Sequence, residues 1–267
     1  MMKDITLGQY FPGNTIVHRL DPRTKLILVV VFIVALFLAK SYLSYGIMVV
    51  VVVLCVAVSR IPPKAILRGL RPLLFVLLLT TILNIFYTDG RILVQFWIFK
   101  ITIEGIIRAI LMLLRIVLLI TGTFLLTYTT SPIALTDGLE MLLNPLKKLR
   151  LPIHELAMMM SIAMRFIPTL VEETDKIMSA QKARGASFDT GKLTERAKAL
   201  LPLLVPLFVS AFRRADELAV AMECRCYHGG EGRTRMKVLR MALRDAVALL
   251  LGALVLAGMI VLRQFAL

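Results

Sequence analysis

The chain has 267 residues, 58% of them hydrophobic, with 32 Lys and Arg against 17 Asp and Glu and a formal net charge of +15. A soluble domain of this length has no use for so much apolar surface, and the mean hydropathy of +0.83 points instead to membrane spans. The positive charge does not imply nucleic acid, because the basic residues gather at the ends of apolar runs, where they set topology and meet anionic lipid headgroups.

In chain order, residues 1–25 form a polar N-terminal segment beginning Lys3-Asp4, without the short apolar core and small-residue site of a removable signal. Five apolar runs follow over the whole chain, each read as a transmembrane helix. They cover about Leu26–Ala39, Tyr45–Val58, Pro72–Tyr87, Ile103–Tyr128 and Ala246–Leu262. Pro62-Pro63 cannot continue the second. Four of the spans therefore occupy residues 26–130, and the fifth lies within 245–267. Arg19, Arg23, Lys25, Arg60, Lys64, Arg68 and Arg71, with Lys147, Lys148, Arg150, Arg184, Arg225, Arg233, Arg235, Lys237, Arg240 and Arg244, fall on one side of the alternating spans. Lys40, Asp89, Arg91, Lys100, Glu104 and Arg263 fall on the other. The positive-inside rule then makes the N-terminus and residues 131–244 cytoplasmic and the C-terminus external.

The segment 131–244 is unlike a soluble domain. Ser131-Pro132 reads as a helix N-cap followed by proline in the first turn, opening a short helix that stops at Asn144-Pro145. Two long amphipathic helices follow, at about Pro152–Arg184 and Thr194–Cys226, separated by Gly185 and an Asp189-Thr190-Gly191 break. Their apolar residues include Met159 and Phe166 on the first and Leu204 and Phe208 on the second. Faces this apolar need membrane, each other, or a hydrophobic partner.

The two helices end alike. Asp175-Lys176-Ile177, Ala180 and Ala183-Arg184-Gly185 recur as Asp216-Glu217-Leu218, Ala221 and Cys224-Arg225-Cys226, in the same order and at the same internal spacing. An arginine at a helix C-terminus offsets the macrodipole. Two in repeated contexts suggest more, because the planar guanidinium fork suits a pocket of carboxylates and carbonyls on another protein.

Catalytic signatures are missing from the sequence. His154-Glu155 lacks the second histidine of a zinc-protease helix, with Met at 158. Gly229-Gly230-Glu231-Gly232-Arg233 carries no lysine placed to cradle phosphates, and no Gly-x-Ser-x-Gly elbow occurs. An integral-membrane enzyme acting on lipid is the alternative reading; it needs an acid, base or metal cluster at the interface, and the sequence offers none. Cys224, Cys226 and His228 form too sparse a set for a convincing metal site, and Cys55 lies within an apolar run, so the cysteines are neither a disulfide framework nor a metal centre. Arg115, inside the fourth run, is either an internal structural partner or a functional residue, while Arg108 can snorkel to the surface. Met158-Met159-Met160 and Met164 suit either an adaptable partner surface or core packing.

Taken together, Ala183-Arg184-Gly185, Cys224-Arg225-Cys226-Tyr227 and Gly229-Gly230-Glu231-Gly232-Arg233-Thr234-Arg235 resemble the transmembrane T component of energy-coupling-factor (ECF) transporters. The opening Gln9-Tyr10-Phe11-Pro12-Gly13 and Leu20-Asp21-Pro22-Arg23-Thr24-Lys25 extend the resemblance over essentially the whole chain. The pattern is similar to the general modules shared among several vitamin-binding subunits. The second motif departs from the Ala-Arg-Gly type in carrying cysteines on both sides. The resemblance implies an all-α, multi-pass protein of a prokaryotic cell membrane, with about five transmembrane helices and a cytoplasmic coupling domain of long amphipathic helices. It implies a transporter subunit rather than an enzyme, with no cofactor of its own, since ATP and magnesium would bind two partner ATPases. Arg184 and Arg225, with Ala183, Gly185, Cys224 and Cys226, would dock those ATPases. A separate, interchangeable S component would capture the vitamin and pack on apolar faces that include Met159, Phe166, Leu204 and Phe208.

Overall fold

The computed structural model describes residues 10–88, 90–96, 99–149, 152–186, 188, 193–229 and 239–265. Lys3, Asp4, Gln9, Asp89, Arg150, the Asp189-Thr190-Gly191 break and the stretch from Gly230 through Lys237 lie outside the described residues.

The architecture is helical. In order come α1 (Pro22–Leu38), α2 (Tyr42–Ser59), α3 (Pro63–Leu70), α4 (Leu74–Tyr87), α5 (Ile103–Thr129), α6 (Pro132–Leu143), α7 (Ile153–Ala183), α8 (Leu193–Cys224) and α9 (Leu243–Phe265). Short 3-10 turns at Arg71–Leu73 and Asn144–Leu149 follow α3 and α6. The departure from an all-helical chain, among the described residues, is a hairpin of β1 (Ile92–Phe96) and β2 (Phe99–Thr102), antiparallel with Phe96 opposite Phe99 and a bulge between Ile92 and Val94. The hairpin hands directly into α5, where the Thr102 hydroxyl accepts from the Gly105 N–H at 3.0 Å and donates to the Thr88 carbonyl at 2.8 Å.

Among the described residues, four helical stretches are long and apolar enough to cross a membrane: Tyr42–Ser59, Pro63–Tyr87, Ile103–Thr129 and Leu243–Gln264. The first apolar run forms α1, whose 17 residues rise only about 26 Å, a little less than the roughly 30 Å of a hydrocarbon core. Ser131 caps α6 as expected, accepting from the Ala134 N–H at 3.3 Å. The amphipathic α3 between the second and third runs carries little signal in the sequence, because two prolines stand at its start and only eight residues follow with helical spacing.

The chain divides into two compact units, one of residues 8–141 with 239–267 and the other centred on 142–238. In the first, α5 is the hub, packing against α1, α2, α3 and α4, while α9 lies along α1. The buried centre is Ala35, Leu36, Ala39, Tyr45, Met48, Val52, Leu118 and Met259. Helices surrounded by lipid gain little from the hydrophobic effect, so close backbone approach and satisfied polar groups carry the association. Gly252 contributes to the first: a Cβ there would meet Leu28 Cδ2 at 2.5 Å, so a larger residue would push the tip of that α1 side chain aside.

The second comes from the Leu20–Lys25 motif. Asp21 caps α1 by accepting from the Arg23 N–H at 2.9 Å, and Arg23 returns a 3.2 Å ion pair to it while its Nη2 donates to the Leu239 carbonyl at 3.1 Å. Asp245, 2% exposed, accepts at 2.8 Å from the N–H of Ala242, before α9, and at 2.8 Å from the N–H of Asp21. Lys25 Nζ donates to the Thr129 carbonyl at 2.9 Å and the Thr130 hydroxyl at 3.2 Å. A buried polar clamp thus ties one end of α1 to the start of α9 and the end of α5.

The second unit is dominated by α7 and α8. They form a seam with Leu203 buried and Leu207, Ser210, Arg214 and Leu218 half-buried, the three-to-four-residue spacing of a helix face.

Candidate functional site

Both arginine motifs adopt one backbone device. At the end of α7 the N–H of Gly185 donates to the Lys182 carbonyl at 3.0 Å and that of Ala186 to Gln181 at 3.0 Å. At the end of α8 the N–H of Cys226 donates to Glu223 at 2.8 Å and that of Tyr227 to Met222 at 3.0 Å. This is the Schellman arrangement in each case, with the arginine as the C-cap and the following residue in left-handed backbone. Gly185 takes φ +87°, and Cys226 takes φ +55°. Only the first of those residues is a glycine, so the repeat is closer in backbone than in sequence.

Arg184 and Arg225 are exposed, as are Ala183, Gly185, Cys224 and Cys226. Among the described residues neither guanidinium has a hydrogen-bond or ion-pair partner. Other arginines are committed internally: Arg23 to Asp21 and Leu239, Arg214 to Glu173, Arg115 to Ala39. The contrast separates two free donor forks from arginines that hold the fold.

Two contacts set the register of the helix pair. Arg214 Nη2 donates to Glu173 Oε2 at 2.7 Å, and Ser210 bonds the other oxygen of that carboxylate. Gln181 Nε2 donates to the Pro202 carbonyl at 3.4 Å. Pro206, one turn on, has no N–H to offer that carbonyl, so a side chain of the neighbouring helix takes the place of the missing backbone donor. The helices therefore run antiparallel, and Arg184 sits near the level of Pro202. Arg225 lies 23 residues further along α8, roughly 35 Å at 1.5 Å per residue. The two forks stand far apart, near opposite ends of the pair.

The apolar residues on this pair do not form one patch. On α8, Leu200, Leu204, Phe208 and Phe212 recur every four residues as an exposed ridge, with Leu201, Val205 and Val209 beside it. Phe208 is 61% exposed and Leu204 40%. On α7, Met159 and Met160 are exposed, at 54% and 46%, while Met158, Met164 and Phe166 are half-buried. Leu204 and Phe208 fall between the two helix-pair contacts, whereas Met159 lies about 20 Å along α7 from Glu173. The methionines divide between packing and display.

Arg115 is an internal structural partner. Its Nη2 donates to the carbonyl of Ala39, the C-cap of α1, at 3.1 Å, and its guanidinium lies 5.6 Å from the Tyr45 ring centroid and 6.0 Å from that of Phe37. An arginine from α5 thus meets the negative end of α1 where that short helix stops. Cys224, Cys226 and His228 are exposed at the end of α8, and among the described residues no three His, Cys, Asp or Glu side chains converge on a metal position.

The missed features are the left-handed residue after each arginine and the ridge separation. Gly185 was a legible signal for the first; Cys226, a residue type that rarely takes positive φ, was not.

Comparison with known proteins gives the same family from two directions. A family model described as "Cobalt transport protein" (CbiQ) matches residues 13–236. The energy-coupling factor transporter transmembrane protein EcfT of Thermosediminibacter oceani is 53% identical over 98% of this chain and 99% of its own length. Those of Bacillus subtilis and Listeria innocua are 51% and 49% identical, each over 97% of this chain and 98% of theirs. With a family model over most of the chain and relatives sharing about half its residues over nearly their whole length, the chain belongs to the EcfT family of energy-coupling factor transporter transmembrane proteins.

Proposed function

We propose that this chain is the coupling subunit of an ECF-type importer, transmitting the motion of two cytoplasmic ATPases to a vitamin-binding S component. The carrying observation is the pair of exposed arginines, without partners among the described residues, capped in the same way and separated by roughly 35 Å along one helix pair. A single partner site needs one fork. Two forks in matching backbone settings, far enough apart to be held separately, suit two related subunits.

In this reading, residues 1–25 and the coupling domain 131–244 face the cytoplasm and the C-terminus is external. ATP and its magnesium bind the ATPases and not this chain. Their closure moves the helix ends at Arg184 and Arg225. Because Glu173–Arg214 and Gln181–Pro202 tie α7 to α8, displacement at either end is passed to both helices. The exposed ridge through Leu204 and Phe208, with the separate surface at Met159 and the half-buried Phe166, contacts the S component. A shift of those faces favours one of its orientations over the other, the differential contact any driven reorientation requires.

The test is co-purification of the ATPases and vitamin uptake for Arg184→Ala, Arg225→Ala and the double variant. Loss of ATPase binding with retained membrane insertion supports the reading. A double variant that binds both ATPases and transports normally removes the arginines from the mechanism.

A further inference from the structure

The basic helix α3 and the cavity beside it lie outside the coupling function proposed above. Lys64, Arg68 and Arg71 recur at four- and three-residue steps and are all exposed, placing them on one helix face. The opposite face is fixed: Ile66 is buried with Ile61 against Tyr128, and the Tyr128 hydroxyl donates to the Ala65 carbonyl at 3.3 Å. The helix is therefore anchored to the end of α5; it follows the candidate span that ends at Ser59 and forms the opening turns of the one over Pro63–Tyr87. Arg60 begins the row. It takes left-handed backbone, φ +53°, uncommon for a non-glycine residue, as the C-cap of α2. None of these four cations has an ion-pair partner among the described residues.

Arg60 also lines a half-open cavity of about 850 Å³. Its other walls mix apolar residues, Phe11, Ile16 and Val58, with the polar Asn14 and Thr15. His18, also in the lining, is spent on the loop: its ring nitrogens bond the Thr15 hydroxyl at 2.6 Å and the Phe11 carbonyl at 3.1 Å. The cavity thus has one cationic corner continuous with a basic row and an otherwise largely apolar wall.

We propose that this cavity and the Arg60–Lys64–Arg68–Arg71 row form a binding site for an anionic glycerophospholipid, the phosphate at the cationic corner and the upper acyl chain against Phe11, Ile16 and Val58. The occupant follows from charge complementarity, from the amphipathic lining, and from the position of the row where two spans meet the interface. Three unneutralised cations along α3, with Arg60 just before it, attract anionic headgroups more strongly than zwitterionic ones. Free phosphate has no use for the apolar wall.

Full-length protein, purified in detergent with the soluble partners that accompany it, is titrated with phosphatidylglycerol or phosphatidylcholine and bound lipid is counted by native mass spectrometry. Phosphatidylglycerol is expected to be retained at least tenfold better. Each of Arg60→Gln, Lys64→Gln, Arg68→Gln and Arg71→Gln weakens that preference about fivefold, and Val58→Trp, which intrudes on the apolar wall of the cavity and leaves every charge, also reduces retention. Millimolar inorganic phosphate does not displace the lipid. Equal retention of the two lipids overturns the site, as does undiminished phosphatidylglycerol binding by the quadruple variant or by Val58→Trp. Displacement by inorganic phosphate would make it a free-anion site. Loss of the accompanying soluble proteins from the quadruple variant, with lipid retained, would assign the row to a protein partner.

Discussion

Gly185 and Cys226 occupy the same place in two copies of one helix-ending motif, each in left-handed backbone immediately after the arginine that caps its helix. The equivalence predicts opposite responses to substitution. Gly185→Ala puts a Cβ into a conformation that disfavours it and should destabilise the end of α7 by about 1 kcal/mol. Cys226→Gly relieves the same penalty and should hold or raise stability. Hydrogen exchange at the amides of Ala186 and Tyr227 reads the two ends separately. Equal protection changes at both, or a loss at Tyr227 in the glycine variant, would show that the motifs are not equivalent.

The arginines themselves separate docking from dipole compensation. A guanidinium that only offsets a helix dipole is worth about 0.3–1 kcal/mol, and lysine replaces it. One docked in a partner's pocket loses about 2–5 kcal/mol on truncation, more than tenfold in affinity, and lysine rescues poorly because the planar fork is gone. Co-purification of the ATPases with Arg184→Lys and Arg225→Lys is therefore more telling than the alanine variants alone. Full rescue by lysine at both sites would return these residues to a purely local role.

Much of this site was legible because its signals are local. Proline after Ser131, apolar spacing from Ile153 to Ala183, and the recurrence of Asp, Ala and Arg across two helices are all carried by near neighbours in sequence. What escaped depended on distant partners. Arg115 suits a structural or a functional role by sequence, and its bond to the Ala39 carbonyl, at the end of another helix, is what favours the structural one. Asp21 and Arg23 belonged to a recognisable motif, but its purpose depends on Asp245 at the far end of the chain. Helix α3 was hidden by Pro62-Pro63, which terminate α2 and also suit the first turn of a new helix.

Arg115→Leu tests the structural assignment. It removes the donor from the Ala39 carbonyl and the contacts with Tyr45 and Phe37. The lost hydrogen bond should cost about 1–3 kcal/mol and the ring contacts about 0.5–1 kcal/mol. Thermal stability in detergent and yield should fall, while uptake per correctly folded molecule stays near that of the parent. A stable variant with abolished uptake would make Arg115 functional instead.

Asp245 holds two backbone donors, the N–H groups of Asp21 and Ala242, in a nearly fully buried setting. Asp245→Ala leaves both without that acceptor, at about 1–3 kcal/mol for each group, and should loosen α9 from α1. Limited proteolysis near Leu239 and a lowered unfolding temperature are the expected readouts. Asp245→Asn keeps one carbonyl oxygen in reach and should be milder. Unchanged stability in the alanine variant would show that water replaces the carboxylate and that the clamp is dispensable.

The exposed ridge of α8 allows the S-component surface to be tested without disturbing the helix pair. Phe208 is 61% exposed and sits one turn from Leu204, away from the Leu203–Ser210–Arg214 seam, so Phe208→Glu should leave the folding of α7 and α8 nearly unchanged. Placed in an apolar interface, the carboxylate must be desolvated without a partner, which costs several kcal/mol and should abolish S-component association. Arg184 and Arg225 are untouched, so both ATPases should still co-purify. Met159→Glu probes the separate surface on α7, and Phe166→Glu is the less clean variant because Phe166 is half-buried and its loss also disturbs packing. If Phe208→Glu alone releases the S component, the ridge is the contact; if only Met159→Glu does, the α7 end takes that role. Loss of the ATPases with the S component retained, for either exposed residue, would reverse the assignment of the two surfaces.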